Sequence, residues 1–186
     1  MVSTFPRYTV DMLDALPAQP GVRYELVDGV LLVTPAPGSA HGVVAGRLIS
    51  ILRSAIPERV AYISPPGEVR VGRTTSLVPD VLVYPSHFQP GTAWADIDEW
   101  LLAIEIVSPS SAIYDRDHKR RAYLAVGVLE YWVVDPAAHV IEVWHPGDET
   151  AARVRRTLRY RTPDGGRLVE LDIAALFRDV PRLTDE

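Results

Sequence analysis

The chain has 186 residues, enough for one ordinary domain with a substantial core but too few for two. Its 47% hydrophobic and 23% charged residues are typical of a globular protein, and the absence of cysteine excludes disulfides and cysteine-based zinc sites. The net charge of −5 argues against coating nucleic acid by charge alone, but an enzyme with a cluster of metal-binding acids stays compatible with it.

The N-terminus contains no basic segment followed by a long apolar run. We therefore expect neither a signal peptide nor a membrane-spanning helix, and a cytoplasmic protein is the default expectation.

The first predicted elements are a short helix and a hairpin. Residues 8–17 predict a helix with Thr9 as a candidate N-cap and Pro17 at its end. The run RYELVDGVLLVTP consists of two β-rich segments on either side of Asp28-Gly29. Since Asp-Gly between alternating apolar residues is a strong signal for a tight turn, these segments predict a β-hairpin.

A longer helix and three strands follow. Residues 40–55 carry apolar side chains at helical spacing, and Ser39 or a residue near it can cap this helix. Pro-Pro-Gly at 65–67 and the polar RTTS at 73–76 predict turns between the strands. The three predicted strands are VAYIS, EVRVG and LVPDVLVYP.

The next elements contain the most apolar strand of the chain. After a loop over residues 85–99, the run WLLAIEIV at 100–107 is apolar on both faces, as expected for a central strand. The segment Ser108-Pro109-Ser110-Ser111 ends it, and a helix is predicted from about Asp115 to Val126, with Gly127 at its C-terminal end.

The remaining runs predict two hairpins and a closing helix. LEYWVVDP and HVIEVW form the first hairpin around Asp135-Pro136, and ARVRRTLRYR and GRLVEL form the second, before a helix at DIAALF. The sequence shows neither an internal repeat nor a linker. We therefore predict one mixed α/β domain over residues 1–186.

Two carboxylates occupy unusual places in the apolar strands. Asp80 lies near the start of LVPDVLVYP, and Glu105 lies near the end of WLLAIEIV. If these strands are antiparallel neighbours, the two carboxylates meet at one rim of the sheet. The following helix begins at the same rim and carries Lys119, with Asp115 one turn before it and Tyr123 one turn after it.

This cluster predicts metal-assisted chemistry. Two carboxylates and an exposed backbone carbonyl suit a hard divalent cation such as Mg²⁺ or Mn²⁺. An amine beside such a cation can orient or deprotonate a water molecule, or neutralise charge that develops on a phosphate. Lys119 is the only lysine among 19 basic residues. The chain therefore has a side-chain amine at this position and uses arginine at every other basic position.

These residues carry a resemblance to known nucleases. Pro79-Asp80 with Glu105-Ile106-Val107 resembles the PD-(D/E)XK nuclease signature, except that Val107 stands where the lysine is usual. More narrowly, residues 20–145 are similar to the Uma-two family of restriction-endonuclease-like proteins. The similar segments are YELVDG at 24–29, P-x-x-x-x-x-H ending at His41, VPDV at 78–81, EIVSPSS at 105–111, Asp115-x-x-x-Lys119, and Tyr123 followed by GVLEYWVVDP.

The resemblance implies a restriction-endonuclease core, in which helices flank a mixed β-sheet, with additional β-hairpins. It also implies an active site at Asp80 and Glu105 in which Lys119, on the following helix, supplies the missing lysine. The expected function is a Mg²⁺- or Mn²⁺-dependent endonuclease acting on DNA, with the Ile106 carbonyl as a further metal ligand. A homodimer is compatible with cutting both strands.

Two other functions stay open. The chain can be a catalytically inactive protein of nuclease fold that serves as a DNA-binding or oligomeric interaction module. It can also be a metal-dependent hydrolase of a smaller phosphate compound.

Each candidate residue also has a structural interpretation. Asp80 can be an ordinary carboxylate at a strand entry, whereas Glu105 is costly to bury without a partner. Lys119 can simply pair with Asp115 at the i, i+4 spacing, and Asp115 can complement the helix dipole. Tyr123 can be a core aromatic residue.

Further candidates lie outside this stretch. Glu25 can supply another acid or be a solvated strand residue, and His41 can reach a phosphate or the metal, or cap and pack its helix. Alternating arginines in the tail can follow a DNA backbone, or protect an exposed strand edge by their charge. These are Arg153, Arg155, Arg159 and Arg161.

Overall fold

The computed structural model describes residues 7–35, 37–108, 111–162, 164–166 and 168–181. Its helices are α1 (Val10–Asp14), α2 (Ser39–Ala55), α3 (Arg120–Ala125) and α4 (Ile173–Leu176), with a 3-10 helix at Trp94–Asp96 and a π-helix at Tyr114–Lys119. The strands are β1 (Val22–Val27), β2 (Val30–Pro35), β3 (Ala61–Ser64), β4 (Val69–Val71), β5 (Thr75–Leu77), β6 (Val81–Pro85), β7 (Leu102–Ile106), β8 (Tyr131–Asp135), β9 (Val140–Trp144), β10 (Ala152–Val154), β11 (Thr157–Arg161) and β12 (Leu168–Asp172).

A mixed six-stranded sheet lies at the centre, with strand order β10-β9-β8-β7-β6-β3. Its strand pairs are antiparallel except β7 and β8, which run parallel. Parallel neighbours need a crossover connection, and here the π-helix and α3 supply it. The end of β7 therefore leads directly into the helical segment that carries Lys119.

The two faces of this sheet are covered by different elements. Leu102, Ile104 and Ile106 of β7 join the core under α2, whereas Ala103 joins the core under α3 with Tyr123. Since side chains alternate along a strand, Glu105 lies on the α3 face. The apolar strand β7 thus places the Glu105 carboxylate on the sheet face that α3 covers.

A second sheet, of order β2-β1-β5-β4, carries the predicted hairpin. β1 and β2 pair antiparallel around Asp28 and Gly29, whose φ values are 48° and 81°. Two successive residues with positive φ are the geometry of a type I′ hairpin turn, so the Asp-Gly prediction is confirmed.

Several other local predictions are also confirmed. Thr9 caps α1 by accepting a hydrogen bond from the Met12 N–H. Helix α2 follows Gly38, which is its N-cap, and Gly127 has a φ of 99° just after α3. Within the described ranges, no helix is long and apolar enough to cross a membrane.

One strand prediction and one turn prediction are wrong in their extent. The run LVPDVLVYP is split, because β5 ends at Leu77 in the small sheet and β6 begins at Val81 in the large one. Pro79 has no N–H to donate to a ladder, so the break falls there. Part of the predicted RTTS turn, from Thr75, belongs to β5.

The arginine-rich tail is also split. ARVRRTLRYR forms β10 at the edge of the large sheet and β11 in a separate two-stranded sheet with β12. The four arginines therefore do not share one strand face. The predictions on Pro109, Ser110 and Arg167 lie outside the described residues.

Candidate active site

The ends of β6 and β7 bring Asp80 and Glu105 together. The two strands are antiparallel and Val81 pairs with Ile104, so the next position in the register sets Asp80 beside Glu105. The Ile106 N–H donates a hydrogen bond of 2.9 Å to Asp80 Oδ2. Two carboxylates that are 25 residues apart in sequence thus meet at one rim of the sheet.

Asp80 is surrounded by donors. Arg23 Nη1 lies 3.0 Å from Oδ1, and His41 Nε2 lies 2.8 Å from Oδ2. Burial raises the pKa of the Asp80 carboxyl, but the hydrogen bonds from His41 and Ile106 and the charge of Arg23 outweigh this effect, so the pKa lies below its ordinary value. Asp80 is therefore an ionised carboxylate at neutral pH.

The Ile106 carbonyl faces the same edge as Asp80. The N–H groups of Ala103 and Val107 point to β8, so the N–H of Ile106 points to the β6 side, as its hydrogen bond to Asp80 also shows. The N–H and C=O of one residue in a strand point to the same side. Since β6 has ended at this level, the Ile106 carbonyl is directed at the rim beside Asp80.

Lys119 is buried among three carboxylates. Its Nζ lies 2.6 Å from Glu25 Oε2, 3.2 Å from Glu105 Oε1 and 3.3 Å from Asp115 Oδ1, and it donates hydrogen bonds to Glu25 and Glu105. Burial lowers the pKa of Lys119, but the charges of Glu105, Glu25 and Asp115 more than reverse this, and the pKa is raised. Lys119 is therefore an ammonium group, which can donate hydrogen bonds but cannot accept a proton.

Glu105 has the opposite electrostatics from Asp80. Its Oε1 accepts hydrogen bonds from Lys119 and, at 2.8 Å, from the Tyr123 hydroxyl. Burial raises the pKa of Glu105 well above its ordinary value; Lys119 opposes this, and the charges of Asp80, Asp115 and Glu25 add to it. Its Oε2 accepts no hydrogen bond from the residues that the structure describes.

Strand β1 of the small sheet contributes two side chains to the site, Arg23 and Glu25. Glu25 Oε1 accepts a 2.8 Å hydrogen bond from the Val78 N–H, and Arg23 Nη1 donates to the Val78 carbonyl at 3.3 Å. Two side chains of one strand face thus hold both peptide groups of Val78, just before Asp80. The sequence had suggested Glu25 but missed Arg23, although its position two residues before Glu25 on the same face was a usable signal.

Most of these side chains, but neither Glu25 nor Tyr123, line a cavity of about 170 Å³. Its volume suits a phosphate group with a few water molecules, so a longer substrate would lie across the opening. The wall also contains the start of α2 and the ends of β2 and β7. The lining residues are Arg23, Thr34, Pro35, Pro37, Gly38, His41, Asp80, Glu105, Ile106, Ser108, Ser111, Asp115 and Lys119.

The charge balance of the cluster suits a divalent cation. Four carboxylates face two permanently positive side chains, which leaves an excess of two negative charges in a largely buried place when all four are ionised. The cluster comprises Glu25, Asp80, Glu105 and Asp115 with Arg23 and Lys119.

The donor set limits which cation fits. Among the described residues, no three histidine, cysteine or carboxylate side chains are grouped as metal ligands. Asp80, the unbonded Oε2 of Glu105 and the Ile106 carbonyl make a set of oxygen donors that leaves room for several water molecules. Mg²⁺ is usually bound in this way, whereas zinc sites take three or four histidine, cysteine or carboxylate side chains.

The structure brings most of the predicted site residues together. Glu25, His41, Asp115 and Tyr123 each contact Asp80, Glu105 or Lys119. The tail arginines lie elsewhere: Arg153 pairs with Glu142 and Arg159 with Glu170, while Arg155 and Arg161 donate to backbone carbonyls. Their contact with DNA stays a prediction.

The mixed sheet with an acid pair at the ends of two neighbouring strands defines a restriction-endonuclease-like fold, as the sequence predicted. A crystal structure from Anabaena variabilis ATCC 29413, described as a putative nuclease belonging to DUF820, has the same fold with a TM-score of 0.77. It is 23% identical, and the match covers 91% of this chain and 97% of that one.

The family assignment follows from the sequence match. Residues 10–176 match the model of the Uma2 family, described as "Putative restriction endonuclease", and the chain belongs to this family. Comparison with curated proteins gave no match.

Proposed function

We propose that the protein is a metal-dependent endonuclease that hydrolyses phosphodiester bonds in DNA, with Mg²⁺ or Mn²⁺ as its cofactor. The observation that carries this proposal is the meeting of Asp80 and Glu105 at the rim of the sheet, in a cavity that also contains the Lys119 ammonium group. Membership of a family described as "Putative restriction endonuclease" supports it.

Asp80, Glu105 Oε2 and the Ile106 carbonyl would hold the cation. When bound, it would supply Lewis-acid activation of the phosphodiester and of a water molecule. Asp80 is already ionised. Glu105 has a raised pKa, so cation binding would be accompanied by loss of its proton where it carries one.

Lys119 would act as a fixed positive charge. Because three carboxylates keep it protonated, its contribution is to hold Glu105 in place and to stabilise negative charge on the reacting phosphate. Without a bound cation, the raised pKa of Lys119 disfavours deprotonation of water by this amine, which is the other role that the sequence allowed.

Cleavage of supercoiled plasmid DNA tests this function. We expect nicking or linearisation with Mg²⁺ or Mn²⁺ and none with EDTA. The variants Asp80→Asn and Glu105→Gln should each lower the rate by about a hundredfold or more, since each removes a charge from the reacting centre.

Glu142→Gln is a matched control. Glu142 and Glu105 both pair with Val133 across the sheet, so they share a face, and both are buried. Glu142 binds Arg116 and lies outside the cavity lining, so its variant should keep the parent rate.

If the parent protein binds neither cation and leaves DNA intact, the nuclease proposal is wrong. DNA binding without cleavage would then favour the inactive nuclease-fold module. Cleavage of small phosphodiesters but not of DNA would favour the hydrolase of smaller compounds.

A further inference from the structure

Arg23 uses only part of its guanidinium group in contacts with the described residues. Its Nη1 donates to Asp80 Oδ1 at 3.0 Å and to the Val78 carbonyl at 3.3 Å. A guanidinium group carries five N–H donors, of which two belong to Nη1. The other three, on Nε and Nη2, make no hydrogen bond to the residues that the structure describes.

These remaining donors belong to a side chain of the cavity wall. Arg23 lines the cavity and is 26% exposed, so it is accessible to a ligand there. Its position is fixed, because two acceptors hold Nη1. The Nε and Nη2 groups of arginine form a planar fork that matches two oxygens of a phosphate.

The start of α2, in the same cavity wall, favours an anion as well. Helix α2 has 17 residues, and its N-cap Gly38 provides no side-chain hydrogen bond to the first turn. Gly38 and His41 line the same cavity as Arg23. The first-turn N–H groups of a helix carry partial positive charge, which adds to that of Arg23.

We propose that Arg23 binds a phosphate group of the substrate through its Nε–Nη2 edge, while Nη1 remains on Asp80 and Val78. The inference rests on the proposed function, since it supplies the phosphodiester that would occupy the cavity. Strand β1 would then hold the substrate phosphate beside Asp80 and Glu105.

The same geometry gives Arg23 opposite effects on the two ligands. A positive charge 3.0 Å from Asp80 attracts a phosphate but repels a cation that Asp80 would hold. Removing the charge should therefore weaken DNA binding and strengthen cation binding. A purely structural role for Arg23, as the partner of the Val78 carbonyl, predicts no such opposition.

Three variants separate these effects. Arg23→Ala removes the charge and the fork, while Arg23→Lys keeps the charge without the planar fork. Arg70→Ala is the matched control, because Arg70 is 24% exposed, pairs with Asp14 and Glu68, and lies outside the cavity lining. Urea unfolding of each variant identifies any loss of folded protein.

The experiment measures two affinities on folded protein. Binding of a fluorescent DNA duplex is measured by anisotropy in EDTA, and binding of Mn²⁺ without DNA by calorimetry. For Arg23→Ala we expect DNA affinity about tenfold or more below the parent, as for loss of a charge-assisted bidentate contact, and tighter Mn²⁺ binding. Arg23→Lys should bind Mn²⁺ like the parent but DNA more weakly, and Arg70→Ala should match the parent on both.

Two results would overturn the proposal. One is DNA affinity in Arg23→Ala equal to that of Arg70→Ala, and the other is Mn²⁺ binding that weakens together with DNA binding. Failure of the proposed function gives a different pattern: the parent binds DNA through Arg23 but neither binds Mn²⁺ nor cuts. If the parent cuts and Arg23→Ala binds DNA equally well, the nuclease function stands and the role of Arg23 does not.

Discussion

Asp80 and Glu105 are neighbouring carboxylates in opposite surroundings. Asp80 is held by Arg23, His41 and a backbone N–H, and its pKa lies below the ordinary value. Glu105 is buried close to other acids, and its pKa is raised. Environments that lower the pKa of one acid and raise that of its neighbour are typical of active sites in which the two acids have different roles.

The site can be divided into an Asp80 half, with Arg23 and His41, and a Glu105 half, with Glu25, Asp115 and Lys119. In the Asp80 half, Arg23 already balances the charge of the carboxylate. The Glu105 half contains Glu25 and Asp115 as well, and Lys119 balances only one of these three charges. An added cation would therefore benefit the Glu105 half most, and the predictions below test this asymmetry.

The largest effect is expected for Lys119→Met. Removing the ammonium group leaves three buried carboxylates without their cation, which should cost about 3–5 kcal/mol of unfolding free energy at neutral pH. Cleavage should be lost as well. Urea denaturation at pH 7 measures the change in stability.

The double variant Lys119→Met with Glu105→Gln is the control for this effect. If excess negative charge is the cause, neutralising Glu105 restores part of the stability. The gain from Glu105→Gln should be larger in the Lys119→Met variant than in the parent, and strictly additive effects of the two substitutions on the unfolding free energy would contradict the charge explanation.

Asp80→Asn should show a smaller effect that depends on pH. The folded-state pKa of Asp80 is lower than its ordinary value of 3.8, so ionised Asp80 stabilises the fold above about pH 3.8. We expect a loss of about 1–3 kcal/mol at neutral pH, which disappears as the pH falls through the lowered pKa. Denaturation curves across this pH range in EDTA measure it.

Glu105→Gln should show the opposite sign. The pKa of Glu105 is raised above its ordinary value of 4.5, so the unfolded chain ionises first and the parent loses stability as the pH rises from about 4.5 towards the raised pKa. The variant avoids this loss and should gain stability relative to the parent over that interval. The same pH trend in both variants would show that the two halves are not electrostatically different.

The smallest effect is expected for Tyr123→Phe. The hydroxyl donates to Glu105 Oε1, while the ring stacks on Tyr131 with centroids 5.0 Å apart. The variant loses one buried hydrogen bond but keeps the packing, so we expect about 1 kcal/mol of destabilisation. Thermal unfolding of this variant beside Tyr131→Phe, which loses a bond to the Asp115 carbonyl instead, separates the Glu105 contact from general packing.

Much of this site could be predicted from local sequence. The apolar runs around Asp80 and Glu105 are properties of short segments, and the antiparallel pairing that the sequence left as a condition brings the two acids together. The Asp-Gly turn likewise predicted the hairpin of β1 and β2, because a type I′ turn depends on two residues.

The rest depended on long-range packing. Arg23 reaches Asp80 across 57 positions of sequence, and this contact exists only because the small sheet lies against the rim of the large one. The division of the tail between β10 and β11 also follows from competition between sheets, which strand propensity does not contain. The raised pKa of Lys119 required all three carboxylates in place.

A crystal structure of the protein soaked in Mn²⁺ tests the central claim most directly. The account predicts an anomalous peak between Asp80 and Glu105 Oε2, within coordinating distance of the Ile106 carbonyl, and no such peak in crystals of Glu105→Gln. An empty rim at saturating Mn²⁺, or the same peak in the parent and in Glu105→Gln, would contradict it.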